Sequence, residues 1–286
     1  MGFFKTIIAL FITISSLISS SLPFDLQIKP FGSVDMDKFQ LVWSDEFDGD
    51  TLDKTKWAGC YHSEGETLVR KGGYWNMDFA DVKDGNLHIS TEYFENGYQD
   101  NGKPGWYSTG LYTKEIFDQK YGYFEVRCIL PKGSGMWSAF WLGCNGIAEI
   151  GNGGTDGAEI DIFESPFYST ALKNRVSTNI HYDGYGEHLK SQNVTTPLMI
   201  ANNPYEEYNT YALEWNEDKY IFYVNGFRTG SSAFGGTSQV AEYLLLTVEV
   251  GGSGGIAKDG WAGPALEKGA EPTDFIVDYV RVYQYK

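Results

Sequence analysis

Cysteine is scarce: Cys60, Cys128 and Cys144 are the only three in 286 residues. Three thiols cannot all pair internally, and they are too few for a disulfide scaffold. No Cys-x-x-Cys occurs, and Cys128 and Cys144 lie in apolar, strand-like segments that suit buried thiols; spacing leaves one disulfide open. Positive charge is also short, with 22 Lys and Arg against 38 Asp and Glu and a formal net charge of −16. That balance excludes nucleic acid and anionic membrane surfaces as partners. It suits a neutral substrate, because an acidic one would need a local basic patch and none is evident. Helical patterning is missing, since no window keeps a 3.6-residue apolar period beyond two turns. Long apolar runs are missing too: Ile7 to Ile18 is too short to favour a membrane span, and no second run of spanning length follows. The glycine-rich stretch from Gly151 to Gly157 lacks the Gly-Lys-Ser/Thr ending of a phosphate loop.

What is present is glycine (34 residues against 9 prolines) and aromatics at 16%. Many glycines fit many turns between short strands, and amphipathic rings suit sugar faces as well as cores. Residues 1–22 have the pattern of a secretory signal, with Lys5, an apolar run and then Ser19, Ser20 and Ser21. A secreted, extracellular protein is expected, with a short tether over 23–38 and one domain over 39–286. Asn193-Val194-Thr195 is a glycosylation acceptor if the host is a eukaryote. Strand-like segments recur through the domain. Val82–Thr91 is a hairpin around Asp84-Gly85, and Lys219–Thr229 is another around Asn225-Gly226. Ser108–Ile116, Tyr121–Leu130, Met136–Leu142, Arg175–Tyr182, Tyr208–Trp215, Tyr243–Val250 and Phe275–Tyr285 are further strands. Short strands at this spacing predict an all-β sandwich or barrel.

One strand carries chemistry. In Glu159-Ile160-Asp161-Ile162-Phe163-Glu164, residues two apart share a face, so Glu159 and Asp161 point together while Ile160 and Ile162 oppose them. Glu164 falls on the wrong face unless a one-residue bulge near Ile162-Phe163 turns it back, and bulges are frequent beside active sites. Three acids on one face repel one another, which suggests a function. Retaining glycoside hydrolysis has a use for them: one ionised nucleophile and one protonated acid, roughly 5–5.5 Å apart. Asp161 between them would raise the acid's pKa by like-charge repulsion. By spacing alone, a strand with solvated acids fits equally. Asp45, Glu46 and Asp48 offer oxygen ligands for a hard cation such as calcium, or simply form a solvated turn.

Taken with the segments Leu41–Gly49, Tyr121–Pro131, Gly135–Leu142, Asn179–Tyr182, Tyr211–Trp215 and Val277–Tyr283, the acidic strand resembles glycoside hydrolase family 16. The acidic motif has the bulged, laminarinase-like Glu-x-Asp-x-x-Glu form. The resemblance implies a concanavalin-like β-jelly-roll sandwich of two curved antiparallel sheets and a retaining mechanism. It implies Glu159 as nucleophile, Glu164 as acid/base and Asp161 as assisting acid, with Trp137, Trp141 and His181 binding substrate. A core role is an even alternative for Trp141 and His181. No cofactor is implied for the chemistry. A structural calcium on the convex side would draw on Glu46, the Gly85 carbonyl and Asp278. Ser138, Phe163 and Tyr182 depart from the residues common in laminarinase-like members and leave the glycan open. The expectation is a monomeric endo-acting hydrolase of a polysaccharide, with β-1,3-glucan as first choice. An endo-β-galactosidase, a transglycosylase or a non-catalytic carbohydrate-binding protein are the alternatives.

Overall fold

The computed structural model describes residues 32–170, 172–200 and 202–286. The secretion signal expected over 1–22 lies outside the described residues. Residues 35–286 form one compact unit.

Two sheets account for most of it. One takes the order Lys190–Met199, Arg175–Tyr182, Glu159–Ser165, Met136–Gly143, Glu242–Val250, Gly110–Tyr112, Ala58–Gly59. The other runs Phe227–Ser232, Tyr220–Val224, Asn209–Trp215, Gly122–Ile129, Thr273–Tyr285, Asn86–Phe94, Gly105–Ser108, Gly73–Trp75, Leu68–Arg70. Pairing is antiparallel except between Gly73–Trp75 and Gly105–Ser108. The fold is the all-β sandwich that the strand spacing predicts, in the jelly-roll form that the family resemblance implies.

The core lies between the sheets. Phe124, Val126, Val277 and Val280 from one sheet meet Leu142, Ile160, Ile162, Phe163 and Val248 from the other. Each such side chain, fully buried, contributes about 1.5–3 kcal/mol of transfer free energy. The predicted strands recur within a residue or two, and both hairpins turn through left-handed pairs: Asp84 and Gly85 (φ +54° and +72°), and Asn225 and Gly226 (φ +51° and +76°). Ser108–Ile116 is not one strand. Gly105–Ser108 belongs to one sheet and Gly110–Tyr112 to the other, so the chain changes sheets at the buried Thr109. The strand Lys190–Met199 carries no alternating apolar pattern in its sequence, as befits an edge. All three cysteines are free and buried, and burial pushes the Cys144 thiol up to about 11.

The segment following Ala58–Gly59 is tied to the first sheet at its outward face. Trp75 Nε1 donates to Val248 O at 2.8 Å, and Gly72 N donates to Val250 O at 2.8 Å. Trp75 fits because residue 110 is glycine; a Cβ there would meet its ring at 2.7 Å. A second, smaller apolar cluster forms here from Cys60, Trp75, Ala139, Trp141 and Leu245.

Candidate active site

The acidic strand contains the expected bulge. Phe163 pairs with Phe140 and Asp161 with Trp141, so Ile162 is the extra residue. Ile160, Ile162 and Phe163 all enter the core. Glu159, Asp161 and Glu164 are left together on the outward face, with half-buried Glu159 beside buried Asp161 and Glu164.

Neutral donors hold these acids. Trp137 Nε1 donates to Glu164 Oε1 at 3.0 Å, and Asn179 Nδ2 donates to Glu164 Oε2. Asn193 Nδ2 donates in turn to Asn179 Oδ1 at 2.9 Å. The asparagine flagged as a glycosylation acceptor therefore supports the amide that holds Glu164. His181 Nε2 lies 3.2 Å from Asp161 Oδ2 and 3.9 Å from Glu159 Oε1. The Asp161 contact is close but poorly aligned, and Oδ2 makes no hydrogen bond by geometry. His181 Nδ1 meets Ser191 Oγ at 2.7 Å. Tyr185, from the loop that follows, donates its hydroxyl to Glu159 Oε2 at 2.5 Å.

Burial first, then the Asp161 and Glu159 charges, push the Glu164 carboxyl well above the usual range. Burial and the Glu159 charge do the same to Asp161, against the hydrogen bonds from Glu164 and Asn179. Two raised acids stand beside one more accessible carboxylate, so the site can retain a proton near neutrality and release it on demand. The donor atoms of Glu159, Asp161 and His181 lie within 4.8 Å of one another, a spacing that would also admit a cation.

The expected sugar-binding residues divide. The part-buried Trp137 ring borders a cavity of about 340 Å³ together with Trp261, Lys71 and Lys258. Trp261 meets Trp137 edge-on at 4.6 Å between centroids and is 52% exposed. Trp141 shares the acids' face but is only 8% exposed, packed under Cys60 and Trp75, with its Nε1 on Thr247 Oγ1. Packing thus accounts for Trp141, and little of its ring is left for a sugar. Asn179 was findable from the sequence, since it lies two residues from His181 on the same strand face. Tyr185 and Trp261 carry no such signal.

Glu46, Gly85 and Asp278 do border one cavity, of about 420 Å³, on the other sheet. Each carboxylate already has a cation there. Arg281 grips Glu46 through Nε at 2.9 Å and Nη2 at 2.6 Å, and Arg127 pairs with Asp278. Calcium wants uncommitted oxygens without neighbouring positive charge, so this donor set does not fit the expected ion.

Comparison with known proteins agrees with the geometry. A sequence model described as "Beta-porphyranase A-D, GH16 domain" matches residues 39–285. The chain is 28% identical to Glucan endo-1,3-beta-glucosidase A1 of Niallia circulans over 85% of its own length and 38% of that protein's. It therefore spans well under half of that relative. It is 26% identical to the Beta-glucanase of Rhodothermus marinus over 86% of each. The catalytic domain of an endo-1,3-beta-glucanase (laminarinase) from Thermotoga petrophila superposes with a TM-score of 0.65 at 27% identity, covering 87% of this chain and 98% of that one.

Proposed function

Because this chain belongs to glycoside hydrolase family 16, we propose that it is a secreted, endo-acting, retaining hydrolase of a β-linked polysaccharide. The observation that carries the reading is the outward face of the acidic strand, where three acids converge and meet an indole, an amide, a phenol and a histidine. Glu159 is the nucleophile. Glu164, kept protonated by burial and by Asp161, gives its proton to the leaving oxygen and later takes one from water. Asp161 holds Glu164's proton affinity high, and His181 steadies Asp161. Trp137, with Trp261 at its edge, offers a ring for a sugar to stack against. Export depends on residues 1–22, and N-terminal sequencing of the released protein should start near residues 20–24.

A β-1,3-glucan is the first choice of substrate, supported by the names of the Niallia circulans relative and of the Thermotoga petrophila structure. A β-galactan is the second, supported by the porphyranase name of the matching family model. Incubation with laminarin, lichenan, agarose and porphyran, with products sized, separates them.

The roles are tested by azide rescue. Glu159→Ala with azide should give an α-glycosyl azide, because azide enters from the nucleophile's side. Glu164→Ala should give the β-anomer, because azide attacks the covalent intermediate from the opposite side. The same anomer from both variants, or inverted sugar from the wild type, would remove the assignment.

A further inference from the structure

The strand Arg175–Tyr182 ends in two left-handed residues, Asp183 (φ +61°) and Gly184 (φ +76°). They swing Tyr185 back over the face that the strand has just left. The root of this loop is fixed: Gly184 N donates to Ile147 O at 2.6 Å, and Asp183 Oδ1 accepts from Gly151 N at 3.1 Å. Its tip, residues 185–188, is exposed, and Tyr185 is 62% open to solvent with a glycine on each side. The tip reaches inward through the Tyr185 hydroxyl on Glu159 Oε2, at 2.5 Å. Burial of that end and then the Glu159 charge push the phenol up, so it stays a donor.

We propose that Tyr185 is a positioning residue that holds Glu159 Oε2 and so shortens the lifetime of the covalent glycosyl-enzyme. The inference rests on the reading of Glu159 as nucleophile. In the first step Glu159 Oε1 bonds to the anomeric carbon, the bond to the leaving oxygen breaks, and that oxygen takes the Glu164 proton. The carboxylate becomes a neutral ester, and the hydrogen bond from Tyr185 weakens. In the second step water attacks the same carbon and passes a proton to Glu164. The electron pair of the breaking ester bond returns to Glu159, and the Tyr185 hydrogen bond strengthens as charge reappears.

Only an interaction stronger in the transition state than in its ground state speeds a step. The Tyr185 hydroxyl satisfies that condition for breakdown of the ester and fails it for formation. A shorter-lived ester also leaves sugar acceptors less time to compete with water. The same hydroxyl therefore favours hydrolysis over transfer.

Tyr185→Phe keeps the ring on an exposed loop and removes the donor. The probe is 2-deoxy-2-fluoro-β-laminaribiosyl fluoride, with the labelled residue found by mass spectrometry and recovery of activity followed in buffer. Both proteins should carry the label on Glu159. The ester should persist about 10–100-fold longer in the variant, the size expected for one hydrogen bond to a charged group. With an aryl β-laminaribioside, kcat and KM should fall together while kcat/KM holds. Equal lifetimes, or a fall in kcat/KM at unchanged KM, would show that the hydroxyl merely packs the loop and would overturn the inference alone. A wild-type label on a residue other than Glu159 would overturn the nucleophile assignment and this inference with it.

Discussion

Two sites on opposite sheets treat the same side chain in opposite ways. On the sheet carrying Thr273–Tyr285, Glu46 is gripped by Arg281 and Asp278 by Arg127. The Arg281 hydrogen bond, set against partial burial, holds Glu46 below the usual carboxylate range. On the sheet carrying Glu159–Ser165, the acids meet indole, amide and phenol donors, and two of them are held high. A guanidinium partner fixes a carboxylate as an anion and removes it from proton traffic. A neutral donor orients the carboxyl and leaves the proton available. At these two sites, what stands beside the acid sets whether it can exchange a proton.

The sharpest way to break this contrast is to give the acid a cation. Asn179→Lys places an ammonium where the amide holds Glu164. Glu164 should then ionise at working pH, and turnover on polysaccharide should fall by the general-acid contribution, about 10²–10⁴-fold. An unchanged pH–rate profile in that variant would sink the idea. A milder change is Asp161→Asn, which removes one negative neighbour. The basic limb of the rate profile should move down by about one pH unit, with retained stereochemistry.

Stability should mirror activity. The Glu164 pKa is raised in the fold, so the native state binds more protons than the unfolded chain above the ordinary carboxylate pKa. Its favourable contribution is complete below that pKa and is lost as pH rises through the raised value. Glu164→Gln should accordingly stabilise the protein near neutral pH, by about 1 kcal/mol or 2–4 °C in Tm, and flatten the decline. For Glu46 the sign reverses. Its folded pKa is lowered, so its contribution is present above the ordinary value and lost as pH falls through the lowered one. Arg281→Met should cost at most about 1 kcal/mol, because the pair is a third exposed, and nothing at pH low enough to protonate Glu46. The smallest effect belongs to calcium: neither chelator nor added ion should move Tm by calorimetry, since both carboxylates are already paired.

The sequence made most of the architecture legible, because alternation and the Asp-Gly and Asn-Gly turns are local signals. The bulge was legible too, since only an extra residue between Asp161 and Glu164 brings Glu164 to the acids' face. Arg281 lies 235 residues from Glu46, and Arg127 lies 151 from Asp278. No local pattern reveals such pairs, which is why those acids suggested a metal. Trp141 pointed the right way, but the segment that covers it begins about 80 residues earlier in the chain. Tyr185 sits on a loop whose course depends on anchors at Ile147 and Gly151.

The unpaired Ile162 has a consequence at the level of the gene. Loss of its codon would leave Glu-Ile-Asp-Phe-Glu, a strand in plain alternation, with all three acids still facing the same way. Neighbours on the aromatic strand would keep their partners, because Ile162 has none there. Loss of the Ile160 codon would instead put Glu159 next to Asp161 and send one of them inward. The strand is therefore tolerant of a one-codon deletion between Asp161 and Glu164 and intolerant of one between Glu159 and Asp161. A chain lacking Ile162 should stay soluble and retain activity, at the cost of the core volume that Ile162 fills, whereas one lacking Ile160 should do neither. Expressing the two deletions side by side would show whether the bulged and compact spacings of this motif are one deletion apart.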